Sequence, residues 1–190
     1  MAADDLSSSI YLGFSTTNIW LSRLIRAATG SKYSHCWVRH GSAVWGGTWV
    51  THADWPVVRQ WPWRSASAKW TVQQLYAPRF DIRPALAAVR KDFEARYDIP
   101  GLFGMVFVEL GLKWFKRRLK NPLASPTAVF CSEFIAEILI AARLPGTEGW
   151  DARSMAPEDV ADYVAAHPEA FTPVAHAPAI DLDGPSLVAG

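Results

Sequence analysis

Residues 33–40 read Tyr33-Ser34-His35-Cys36-Trp37-Val38-Arg39-His40, and what they form decides the fold. Aromatic and β-branched side chains, with Gly41-Ser42 directly behind them, indicate a strand running into a hairpin turn. Side chains alternate along a strand, so His35, Trp37 and Arg39 share one face while Cys36 and Val38 point the other way. The first face carries the ionisable groups, and the opposite face has the character of core. The returning strand, Val44 to Ala53, puts Thr48, Val50 and His52 on one face and runs on to Asp54.

Outward from this hairpin the pattern stays β-rich. Residues 10–14 read as a short strand. Thr17 or Asn18 can cap a helix through Ile19, Leu21, Leu24 and Ile25 that ends near Gly30. Val57 to Trp63 and Trp70 to Tyr76 are further strands, divided by the small polar run Arg64 to Ala68. The character changes at Asp81, where Pro84 opens a helix carrying Leu86, Val89, Phe93 and Tyr97 at helical spacing. Pro100-Gly101 breaks it, and Leu102 to Leu119 follows as an apolar helix with a basic end. Asn121-Pro122 and Ser125-Pro126 mark a loop. A helix then opens near Phe130, with Cys131, Phe134, Ile135, Ile138, Leu139 and Ala142 on one stripe. A last short helix has Ser154 as N-cap and Glu158 in its first turn, and ends at His167-Pro168. Strands first and helices after give an α+β class, a small antiparallel sheet packed against helices. The expected domain is single and spans residues 1–172, with an Ala/Pro-rich, weakly ordered tail over 173–190.

The chain of 190 residues is 50% hydrophobic and 19% charged with a net charge of +1, so its balance asks for no nucleic acid. Its two cysteines are too few for a disulfide framework or a structural zinc site, and no cofactor or metal is expected. The first residues lack the basic and apolar regions of a secretory signal, and no run nears the roughly 20 apolar residues of a membrane span. The expectation is synthesis in the cytoplasm. Leu102 to Arg118 is read as a core helix with a solvated cationic last turn rather than a membrane-surface helix. Of ten tryptophans, seven fall between residues 37 and 70. The favoured role for them is core and rim packing, ahead of lining a groove for a peptide, sugar or acyl chain.

Cys131 opens a helix, where unpaired backbone N–H groups and the positive end of the helix dipole favour the thiolate. The same N–H groups can hold an oxyanion. The competing reading is an inert buried cysteine heading an apolar stripe. Its base would be His35, since His40 has the wrong parity and His167 and His176 lie beside prolines near the C-terminus. A third group should orient the imidazole. His52 and Asp54 both qualify, and His52, further inside its strand, is the first choice. Glu133 is read as serving the helix N-terminus, and Tyr97-Asp98 as shaping or capping the helix break.

Three stretches together carry a resemblance: Leu21–Arg26 leading into Gly30-Ser31-Lys32-Tyr33-Ser34-His35; Tyr97-Asp98-Ile99-Pro100-Gly101; and Val129-Phe130-Cys131-Ser132-Glu133-Phe134-Ile135. The chain resembles the circularly permuted NlpC/P60 branch of the papain-like hydrolases, a group with YiiX-like proteins that is related to lecithin:retinol acyltransferase-like proteins. There the histidine strand precedes the cysteine helix, as it does here. The resemblance implies a permuted papain-like fold, Cys131 as nucleophile, His35 as general base and His52 as the third, polar member. It also implies a thiol hydrolase that forms an acyl-enzyme, with cell-wall peptide as the family-level substrate. Transfer of an acyl group on the same site, or a non-catalytic structural module such as one of a phage particle, are the alternatives.

Overall fold

The computed structural model describes residues 10–41, 47–54, 57–89, 96–98 and 128–174, together with positions 100, 101, 103, 104, 107, 108, 111 and 121–123. The strands are β1 (Tyr11–Thr16), β2 (His35–Gly41), β3 (Thr48–Asp54), β4 (Val57–Pro62), β5 (Val72–Pro78), β6 (Arg96–Tyr97), β7 (Ala128–Val129) and β8 (Phe171–Val174). The helices are α1 (Trp20–Thr29), α2 (Trp63–Ser67), α3 (Arg83–Ala88), α4 (Cys131–Ala141) and α5 (Pro157–Ala166), with a 3-10 turn at Ala152–Ser154. One sheet, ordered β7-β6-β4-β3-β2-β1-β5-β8, runs through all of the strands. The six strands from β4 to β8 in that order are antiparallel; β6 and β7 pair with each other in parallel at one edge. The α+β class follows.

Register explains why the sheet is buried on both sides. Val38 lies opposite Thr51 and Arg39 opposite Val50, so Cys36, Val38 and Ala53 share one face. That face packs under α4, whose residues Phe134, Ile135, Ile138 and Leu139 are fully buried, and forms the main core with α3 and α5. The opposite face is not a solvated surface. Trp37, Val50, Ala66 and Leu75 are buried there under α2, with Trp61, Trp63 and Trp70 against them. Trp37 and Trp70 stack at 4.8 Å, and the Arg39 guanidinium, 1% exposed, lies 4.8 Å from the Trp63 ring centroid. The face that carries the ionisable groups is therefore a second, aromatic core. Gly13 makes room for it: a Cβ there would collide with the Trp37 ring.

Several boundaries differ from the sequence expectation. Ile19, not Thr17 or Asn18, is the N-cap of α1, which ends as expected at Gly30 (φ 75°) with the Gly30 N–H on the Arg26 carbonyl. The polar run at 64–68 is mostly the helix α2, not a loop, because Ala66 is buried against the tryptophans. Arg96–Tyr97 is a strand rather than the end of a helix, since it bridges Val57 and Ala128–Val129. The helix expected over 81–97 is seen as α3, and residues 90–95 lie outside the described residues. Positions 103, 104, 107, 108 and 111 of the expected 102–119 helix are helical; its other positions lie outside the described residues, as do Ser42 of the expected turn and residues 175–190 of the expected tail. Pro173 and Val174, placed in that tail, belong to β8 and pair with Tyr76 and Leu75. Ser154 lies in the 3-10 turn, and α5 is capped instead by the Asp159 carboxylate accepting the Ala156 N–H at 2.7 Å. Among the described residues no helix is long and apolar enough to cross a membrane, and no three His, Cys, Asp or Glu converge as a metal site requires.

Candidate active site

β2 begins at His35, and the chain entering it is tied down at every step. Glu158, at the start of α5, accepts the Ser31 hydroxyl at 2.5 Å and the Lys32 N–H at 3.0 Å. Ser31 in turn accepts the Tyr33 N–H at 2.8 Å, and the Tyr33 hydroxyl donates to Gln74 at 2.6 Å. Behind Ser34 three hydroxyls close a triangle: Ser22 to Ser34 at 2.5 Å, Thr16 to Ser22 at 3.0 Å and Thr16 to Ser34 at 3.2 Å. All three are buried, and each hydroxyl can give one proton and take one, so none is left unpaired. This triangle fixes α1 and β1 to the residue before His35.

His52 stands beside His35 because both lie on the tryptophan face of neighbouring strands. His35 Nε2 is 2.9 Å from His52 Nδ1. His52 is 2% exposed, with the Trp61 and Trp70 rings edge-on to it at 5.7 and 6.0 Å. Burial, then the charges of His35, Arg59 and Lys69, hold it well below the ordinary imidazole range, so it is neutral at pH 7. Its Nε2 is buried without a hydrogen-bond partner. Of the two candidates for third member, His52 contacts His35; Asp54 is the last residue of β3, and its side chain lies outside those described. His40, set aside on parity, is a core histidine bonded to Thr51 Oγ1 at 2.9 Å and the Gly41 carbonyl at 3.0 Å.

Cys131 is the first residue of α4, after the extended N-cap Phe130. Its sulfur lies 3.8 Å from the carbonyl of Ser34, the residue between the α1–β2 connection and His35. The neighbouring Cys36 does most to hold the Cys131 thiol well below its ordinary value; His35 adds to this, and together they outweigh burial. Cys36 moves the opposite way, pushed up by burial first and then by Cys131. Both sulfurs are free and buried, and they share the α4 core. Strand parity places Cys36 in the core but gives no sign that it lies beside Cys131.

Glu133 is 2% exposed, and its Oε2 accepts the Phe130 N–H at 3.4 Å. Burial raises its carboxyl to about 8, and Arg153, 3.5 Å away but 45% exposed, is too well solvated to reverse this. Glu133 thus serves the helix N-terminus through a hydrogen bond, and at pH 7 it is largely neutral. A charged carboxylate two residues from Cys131 would oppose the thiolate, and protonation removes that opposition. Asp98, 1% exposed, accepts the Gly101 N–H at 2.8 Å and caps the helical turn after it.

A cavity of about 620 Å³ opens beside His35 and His52. Leu21 and Ile25 of α1 form one wall, Trp61 and Trp70 the other, and Ser34 sits between them. Lys69 is the one charged side chain among the described lining residues. Cys131 is 1% exposed and is not part of the lining; Ser34 and His35 touch both the sulfur and the cavity. Sequence reasoning missed Lys69 and the hydroxyl triangle, whose members lie on three separate elements. No protein family, curated protein or solved structure matches the chain.

Proposed function

We propose that the protein is a thiol hydrolase for amide or ester bonds, with Cys131 as nucleophile, His35 as general base and His52 as the residue that orients His35. The observation that carries this reading is the 2.9 Å contact of His35 with His52, together with a sulfur at a helix N-terminus whose ionisation His35 favours. Neutral His52 accepts the His35 Nε2–H at its Nδ1, which leaves His35 Nδ1 to take the thiol proton. The thiolate then attacks the carbonyl carbon, and the oxyanion faces the N–H groups at the start of α4. Imidazolium at His35 returns the proton to the departing amine or alcohol, and an S-acyl enzyme remains. Water, losing its proton to His35, attacks that thioester and releases the acid with the thiol restored. A neutral third member supports imidazolium less than a carboxylate would, so its contribution is chiefly orientation.

The apolar walls of the cavity favour a substrate with an apolar acyl group over a charged peptide strand. Incubation with p-nitrophenyl esters of rising chain length and with peptide amides tests this. The expected result is a mass increase equal to the acyl group on Cys131, strongest for the longer esters and absent from Cys131→Ala. Turnover that persists in Cys131→Ala, or acyl groups found only on other residues, would sink the reading.

A further inference from the structure

Beside the cavity, α1 carries more apolar surface than the protein covers. Leu21 and Ile25 face inward, but Trp20, Leu24 and Ala27, spaced as one helical stripe next to them, face solvent. Trp20 is 69% exposed, Leu24 38% and the N-cap Ile19 59%. Ile19 also lines the cavity, so the uncovered stripe runs into its mouth. Isolated exposed apolar residues are ordinary; a contiguous row at a cavity mouth is not.

The stretch of chain that carries that row is rich in cations. From position 6 to position 80 the chain has eight Lys and Arg and a single acidic residue, Asp54, although the whole chain has a net charge of only +1. Arg23 stands exposed on α1 next to Trp20 and Leu24, and exposed Lys69 lines the cavity with its ammonium 4.0 Å from the Trp61 ring centroid. α1 itself contains no acidic residue. An exposed Trp and Leu flanked by cations is the composition of a helix that lies in a lipid interface. A second copy of the chain fits poorly, since a two-fold contact through α1 would bring cations against cations.

We propose that the outer face of α1, with Lys69 of the cavity lining, docks onto an anionic lipid surface so that the cavity opens into the bilayer interface. Trp20, Leu24 and Ile19 enter the headgroup boundary, and Arg23 and Lys69 meet lipid phosphates. This docking requires no turnover, so it stands or falls separately from the hydrolase reading.

The test is flotation of the full chain with vesicles of phosphatidylcholine alone and of phosphatidylcholine mixed with phosphatidylglycerol. Binding is expected to the mixed vesicles, weaker at high salt, and unchanged in Cys131→Ala. Trp20→Ser and Leu24→Ser should each weaken it about tenfold, and Arg23→Gln and Lys69→Gln about fivefold. Phe107→Ser, also at an exposed apolar residue (59%), should bind like the wild type. Near-ultraviolet circular dichroism establishes that each variant is folded. No binding to the mixed vesicles, or equal binding by a folded Trp20→Ser, Leu24→Ser double variant, overturns the proposal. So does a dimer in sedimentation velocity that the double variant dissociates, which would assign the face to self-association.

Discussion

The two faces of the sheet are made of different material, and the candidate site lies where they meet. Under α4 the packing is mainly aliphatic, with Val38, Ile135, Ile138 and Leu139 around the two cysteines. Under α2 it is a stack of indoles with a guanidinium laid on them. Cys131 belongs to the first layer, and His35 and His52 to the second. A sheet keeps such layers apart along its length, but His35 is the first residue of β2, and there the barrier ends. The difference teaches that neither core alone could make this dyad. It needs the end of a strand.

The largest effects should come from cutting that junction. Cys131→Ala and His35→Ala are each expected to lower kcat/KM for ester hydrolysis by about 10⁴-fold or more. Next come the two layers. Phe134→Ala removes a fully buried ring from the α4 side and should cost about 3–5 kcal/mol in denaturant unfolding. Gly13→Ala pushes a methyl into Trp37 on the other side and should cost about 1–3 kcal/mol, with a change in the near-ultraviolet tryptophan signal that Phe134→Ala does not share. If both variants alter that signal alike, the layers are not independent.

His52→Ala should act more mildly, lowering kcat about 10- to 100-fold, because it orients the base and does not itself react. A loss as large as that of His35→Ala would make His52 a full chemical partner. A further effect is confined to pH and concerns Glu133. Its carboxyl is raised from 4.5 to about 8 in the folded chain, so between those values the fold holds a proton that the unfolded chain has lost. Stability should be fullest below pH 4.5 and fall by up to about 1.4 kcal/mol per pH unit as pH rises through that window. Thermal unfolding from pH 4 to pH 9 should show this slope in the wild type and lose it in Glu133→Gln.

Parity made much of the site legible. Alternation grouped His35 with Trp37 and Arg39 and, on the returning strand, His52 with Thr48 and Val50, and the apolar stripe after Phe130 was enough to start a helix near Cys131; that the two groups share one face is a matter of register. Parity does not reveal what covers a face, so the indole layer over Arg39 could not be foreseen from its polar members. Nor could Arg96–Tyr97 be read as a strand, because two residues carry no period and their conformation comes from Val57 and Ala128. The Cys36–Cys131 contact escaped for a related reason: it depends on where α4 lands on β2, a matter of packing between segments 95 residues apart in sequence.

The bond from Ser31 to Glu158 spans 127 residues. Closing so long a loop costs chain entropy that nearby contacts do not repay, which ranks this among the slower events of folding. The hairpin of β2 and β3 can form early, but the residues leading into His35 acquire their final path only once α5 has arrived. Assembly of the dyad is thereby coupled to completion of the chain. A nascent chain lacking α5 would carry both cysteine and histidine before the segment leading into His35 is tied down by Glu158.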